Sequence, residues 1–92
     1  CPDLLAGKNG RVLAVECKSG KGPRKYVTKQ QVGELKSFAS GFGASAWIGI
    51  RFNGLEWLFL RPSELVESGK NHYVVDIKLA REKGLSFSAL IA

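Results

Sequence analysis

The sequence predicts an α/β domain with a mixed central sheet flanked by helices, in the order β-β-α-β-β followed by a small tail. Three observations carry that reading. Two Asn-Gly pairs, at 9–10 and 53–54, each lie between apolar runs, the signature of β-hairpins. Between the hairpins, residues 29–42 repeat apolar side chains at helical spacing. The chain of 92 residues, 45% hydrophobic and 24% charged, suits a single domain around one core.

Residues 2–7 and 11–18 form the first hairpin around Gly7-Lys8-Asn9-Gly10. Side chains alternate along a strand, so Val12, Ala14, Glu16 and Lys18 share one face. Leu13, Val15 and Cys17 share the other, apolar face, which predicts a buried, inert Cys17. Residues 19–25 hold two glycines and Pro23 and read as a loop, with Tyr26 and Val27 as a short extended piece. Thr28 then suits an N-cap, Gln31 completes a capping box, and Val27 with Val32 makes a hydrophobic staple. Val32, Leu35, Phe38, Ala39 and Phe42 form the apolar row of a helix over 29–42, which Gly43 ends. Ala46, Ile48, Ile50 and Phe52 alternate with Trp47, Gly49 and Arg51 in the next strand, and residues 56–60 return as its hairpin partner. Pro62 and Ser63 suit a short helix running through Glu67; 68–71 is a turn and 72–77 a strand. Ser86 is placed to cap a last helix.

The net charge of +6 is uneven. Residues 1–36 hold eight Lys/Arg against three Asp/Glu, and no acid falls between Cys17 and Gly33. Lys18, Lys21, Arg24, Lys25 and Lys29 all lie in that window, a pattern that suits a polyanion such as nucleic acid as well as a solvated basic loop. Two cysteines and one unpartnered histidine, His72, provide neither a disulfide framework nor a structural zinc site. No apolar run approaches a membrane span and no signal peptide is evident, so an intracellular, reducing setting is the expectation.

Asp3, Glu16 and Lys18 stand out against this frame. Hairpin pairing brings Asp3, at the head of the first strand, close to Glu16. Two carboxylates that converge repel each other and favour a bound cation, with Mg²⁺ or Mn²⁺ suited to oxygen ligands. Lys18 beside them can orient a water or stabilise charge on a phosphate, so the set suits phosphodiester hydrolysis. A bare Glu-x-Lys in a strand is more often an exposed ion pair. The preceding Pro2-Asp3, the strand placement and the basic loop that follows favour the site. Gln31 has two readings, as the partner of the helix cap and as a group near a bound phosphate or water. Phe38 and Phe42 read as helix core residues, and as a dimer contact if one is exposed.

Pro2-Asp3 followed after a hairpin by Glu16-Cys17-Lys18 resembles the PD-(D/E)XK nuclease motif. Over nearly the whole chain, through PDLLAGKNGRVLAVECKS, YVTKQQVGELKSFASGFGA, IGIRF and GLSFSALI, the sequence is similar to the archaeal Holliday junction resolvases. The resemblance implies a restriction-endonuclease-like core in an endonuclease of DNA recombination and repair. It would act as a homodimer, bind four-way junction DNA and nick opposed strands with Mg²⁺. Asp3, Glu16 and the Cys17 carbonyl would be metal ligands, Lys18 the catalytic base or charge stabiliser, and Gln31 a family position at the helix start. Lys21, Arg24, Lys25 and Lys29 would lie along the DNA, and Phe38 and Phe42 near the dimer contact. A cytoplasmic, nucleoid-associated location follows. Family members carry a helix with a further catalytic Glu and a basic Ser/Gly-rich segment before the Pro-Asp. Residues 1–92 are therefore expected to be an N-terminally truncated nuclease core. The rivals are another restriction-like or repair nuclease of the same motif and a non-catalytic DNA-binding domain.

Overall fold

The computed structural model describes residues 3–92; Cys1 and Pro2, and with them the first letter of the Pro-Asp motif and the expected start of the first strand, lie outside the described residues. Strands β1 (Asp3–Ala6) and β2 (Val12–Gly20) pair antiparallel, with Asp3 opposite Val15 and Leu5 opposite Leu13. Their connection is longer than the two-residue turn that Asn-Gly suggests. The Gly7 N–H donates to the Arg11 carbonyl at 2.7 Å, and a 3-10 turn, Lys8–Gly10, fills the gap. Asn9 and Gly10 take left-handed φ values of 62° and 73°, a path open to few other residue pairs.

Strand β3 (Arg24–Thr28) leads directly into helix α1 (Lys29–Phe42). The start of α1 is set by its cap. The Thr28 hydroxyl accepts from the Gln31 N–H at 3.0 Å, and the Gln31 side-chain oxygen accepts from the Thr28 N–H at 3.0 Å. Val27 and Val32 are both buried on either side of this box, as a staple requires. Gly43 ends the helix in the left-handed region, its N–H returning to the Ala39 and Ser40 carbonyls. Val32, Leu35 and Ala39 form the buried stripe.

Strand β4 (Ser45–Phe52) runs parallel to β2, and β5 (Leu58–Leu60) returns antiparallel, giving a mixed sheet ordered β1-β2-β4-β5. A second sheet, ordered β3-β7-β6, comprises β3, β6 (Val66–Ser68) and β7 (His72–Asp76). Helices α2 (Ile77–Lys83) and α3 (Phe87–Ile91) complete the chain. The larger core, with Ala14, Val27, Leu35, Ile48, Ile50, Leu60 and Val75, fills one face of the mixed sheet. The smaller, with Leu13, Val15, Trp47, Phe59 and Leu90, covers the other. Each fully buried Leu or Ile contributes about 1.5–3 kcal/mol. Gly49 leaves room for its cross-strand neighbour: a Cβ there would lie 3.0 Å from the Phe59 ring.

Other local expectations change too: the loop expected over 19–25 shrinks to 21–23, because β2 runs through Gly20 and β3 starts at Arg24. The Asn53-Gly54 turn is wider than two residues, with the Leu55 N–H on the Phe52 carbonyl at 2.9 Å and β5 starting only at Leu58. Pro62–Glu64 is a single 3-10 turn, and 66–68 is strand because it finds β7 as a partner. Residues 77–83 form α2, capped by the Asp76 carboxylate, which accepts from the Leu79 N–H at 2.8 Å. Cys17 is exposed. Its face is apolar only as far as Val15, because the smaller core ends there.

Candidate active site

The candidate site lies at Asp3, the first described residue of β1, and along the second half of β2. Asp3 lies opposite Val15, and β2 continues through Glu16, Cys17 and Lys18 with β4 on its other side. Residues directly opposite each other share a face. Asp3 therefore stands on the Val15 and Cys17 face, while Glu16 and Lys18 share theirs with Ile48 and Ile50. Asp3 is thus one register step from Glu16 and on the other face, rather than beside it on a shared one.

Both carboxylates lie near the Cys17 side chain. The Cys17 thiol is pushed above its ordinary range, first by partial desolvation, then by the Asp3 carboxylate and then by that of Glu16. The backbone adds a third donor. The Gly7 N–H to Arg11 carbonyl bond marks Arg11 as a residue whose backbone groups face β1. Counting by twos, those of Leu13, Val15 and Cys17 face the same edge. The Cys17 carbonyl thus faces the edge of β2 on which Asp3 of β1 lies. All three donors are oxygens, a set suited to a hard divalent cation and unlike the thiolate and imidazole sets of structural zinc. Among the described residues, no group of three or more His, Cys, Asp or Glu side chains comes together. A cation here would therefore need the carbonyl and water to fill its shell.

Lys18 is half-buried on the Glu16 face, about 6.6 Å along the strand from Glu16 at the usual rise. Among the described residues, the ion pairs are Lys29–Glu67 and Lys78–Glu82, so Asp3, Glu16 and Lys18 are tied into neither. Gln31 is half-buried, with its side-chain oxygen committed to the helix cap.

The basic window divides. Lys21 and Arg24 are exposed. Lys29 is engaged, 3.4 Å from the Glu67 carboxylate and 5.6 Å over the Tyr73 ring. Lys25 corrects the expectation of a DNA contact: it is 6% exposed, because β3 turns it inward beside Val27. Arg51 was not singled out in the sequence. It lies opposite Ser19 and, with Ser19, Lys21 and Asn53, lines an open cleft at the C-terminal ends of the parallel strands β2 and β4. Its Nε donates to the Leu55 carbonyl at 2.9 Å. The outward phase of Arg51 was legible, but the pairing that brings it to Lys21 was not.

The two helix phenylalanines also part company. Phe38 packs against the larger core, whereas Phe42 is 60% exposed, with the rings 4.8 Å apart. Phe42 is therefore not a core residue. Trp47 is buried and Trp57 half-buried, stacked on Phe59.

A model of the archaeal Holliday junction resolvase (hjc) family matches residues 1–92. The crossover junction endodeoxyribonuclease Hjc of Methanocaldococcus jannaschii is 42% identical over 77 residues, covering 84% of this chain and 56% of that protein. The protein of the same name from Archaeoglobus fulgidus is 33% identical, with 83% and 55% covered. That from Sulfolobus acidocaldarius is 32% identical, with 98% and 62% covered. The solved structure of Archaeoglobus fulgidus Hjc, a Holliday junction resolvase, superposes with a TM-score of 0.86 at 28% identity, covering 99% of this chain and 73% of that one. The chain spans only 55% to 62% of the length of these curated relatives.

Proposed function

Because this chain belongs to the archaeal Holliday junction resolvase family, we propose that residues 1–92 are the nuclease core of an endodeoxyribonuclease that cuts four-way DNA junctions. The observation that carries the reading is the strand register that sets Asp3 one step from Glu16, with Lys18 two residues further along β2. The family's dependence on a divalent metal fits this all-oxygen donor set. We assign Mg²⁺, with Mn²⁺ as its substitute, to Asp3, Glu16 and the Cys17 carbonyl. When bound, such an ion polarises a phosphoryl oxygen and acidifies a water.

The chain's own groups do the rest. Asp3 and Glu16 hold their charges at one edge. Lys18 brings an ammonium to that edge, where it stabilises the negative charge that grows on the phosphate. Gln31 fixes the start of α1 through its bond to Thr28. Lys21 and Arg24 offer exposed cations to the DNA backbone, and Lys29 a further one once drawn from Glu67. The exposed Phe42 and its neighbour Phe38 form the contact of a homodimer, in which each subunit nicks one of two opposed strands. The DNA substrate implies an intracellular protein; among the described residues, no helix is long and apolar enough to cross a membrane.

The test uses the natural full-length protein. Calorimetric Mg²⁺ titration should show binding that Asp3→Asn abolishes, together with cleavage of a four-way junction well above that of a linear duplex of the same sequence. Equal cleavage of the two DNAs would assign the core to another branch of PD-(D/E)XK nucleases. Absence of any ion binding, with Asp3→Asn silent, would leave a DNA-binding domain.

A further inference from the structure

Lysine is seldom buried, and when buried it needs partners for its charge. Lys25 is 6% exposed, and its Nζ donates to the Lys21 carbonyl at 3.1 Å and the Gly22 carbonyl at 2.9 Å. The ammonium also lies 4.8 Å over the Phe52 ring. Carbonyl dipoles and a ring face thus stand in for a carboxylate. The carbonyls belong to the turn that follows β2, Lys25 itself to β3, and Phe52 to the end of β4. One ammonium therefore ties three pieces of backbone together. The turn needs such a tie. Gly20 and Gly22 take φ values of 147° and 94°, conformations that other residues rarely adopt. Among the described residues, no backbone hydrogen bond outside the helices and strands involves residues 21–23.

We propose that Lys25 is a positioning residue whose buried ammonium clasps the turn after β2 and holds Lys21 at the cleft shared with Arg51, where a DNA backbone phosphate passes. The inference rests on the nuclease reading. An ammonium bound to two carbonyls and seated over a ring cannot reach a phosphate without giving up those bonds, so the effect of Lys25 on DNA is carried by Lys21.

Two measurements on the full-length protein test this. With no DNA present, acylation of lysines by a water-soluble acetyl ester should modify Lys25 at least about tenfold more slowly than the exposed Lys21. Equal rates overturn the clasp whatever the protein cuts. The second is a double-variant cycle with a four-way junction. K25M keeps the apolar stem and removes the ammonium. K21A and K25M should each raise Kd and KM, leave kcat within about twofold, and together do no worse than the poorer single variant within about twofold. Effects that multiply, or a K25M loss that falls on kcat, overturn the proposal. A silent K21A beside intact junction cleavage overturns it too, while leaving the nuclease reading in place. Loss of all DNA cleavage in the unsubstituted protein would instead remove that reading.

Discussion

The two halves of β2 are one continuous strand with opposite physical characters. From Leu13 to Val15 it is buried on both faces, under α1 on one side and α3 on the other. From Glu16 to Gly20 no residue is fully buried, and the side chains include both an acid and a base. The pleat and the pairing with β4 are the same throughout. What changes is the apolar cover on the face of Leu13 and Val15. β1 ends its described pairing at Asp3, opposite Val15, and the smaller core ends at the same level. The first half gives the second a rigid base, and beyond Val15 the strand carries its acid and its base on less buried positions. A site built on a sheet strand in this way is held more firmly than one on a loop.

The sharpest way to break the comparison is to neutralise one charge in the exposed half. Glu16→Gln should lower kcat of the full-length protein on the order of 10³-fold, equivalent to about 4 kcal/mol, while thermal unfolding of the variant stays close to that of the parent. A matching loss of stability would mean that Glu16 belongs to the scaffold. Next in size is the buried half. Leu13→Ala should cost about 2–5 kcal/mol in denaturant unfolding, and the part that remains folded should keep its metal affinity. A cost below 1 kcal/mol, about what a surface substitution gives, would mean that the face under α3 is loosely packed. The smallest effect lies beyond the strand. Arg24→Ala should weaken junction and duplex binding alike and reduce the slope of log K against log salt by about 0.9. An unchanged affinity at low salt would remove Arg24 from the DNA path.

Much of this was open to reading because it is local. The limits of α1 follow from Thr28, Gln31 and Gly43, each acting within four residues of its partner. The Ser86 cap of α3 has the same character, its hydroxyl accepting from the Ala89 N–H at 3.1 Å. Helix α2 was also marked, by Asp76, but the apolar residues before it drew the strand one residue too far and hid the cap. The second sheet had weaker signs, since β3 and β6 are short and form only because β7 lies between them.

The candidate site divides along the same line. Alternation along β2 by itself set Glu16 and Lys18 on one face and Cys17 on the other, and the charge count marked the window that follows. Tertiary structure alone decided that Asp3 meets the strand one step from Glu16 on the opposite face, that Cys17 is exposed, that Arg51 joins Lys21, and that Lys25 turns inward. The reason is range. Caps, turns and strand phase depend on residues a few positions apart, whereas burial depends on which distant segment lies across the sheet. Beside its two local carbonyls, Lys25 is covered by Phe52, which lies twenty-seven positions later and ends its strand beneath the ammonium.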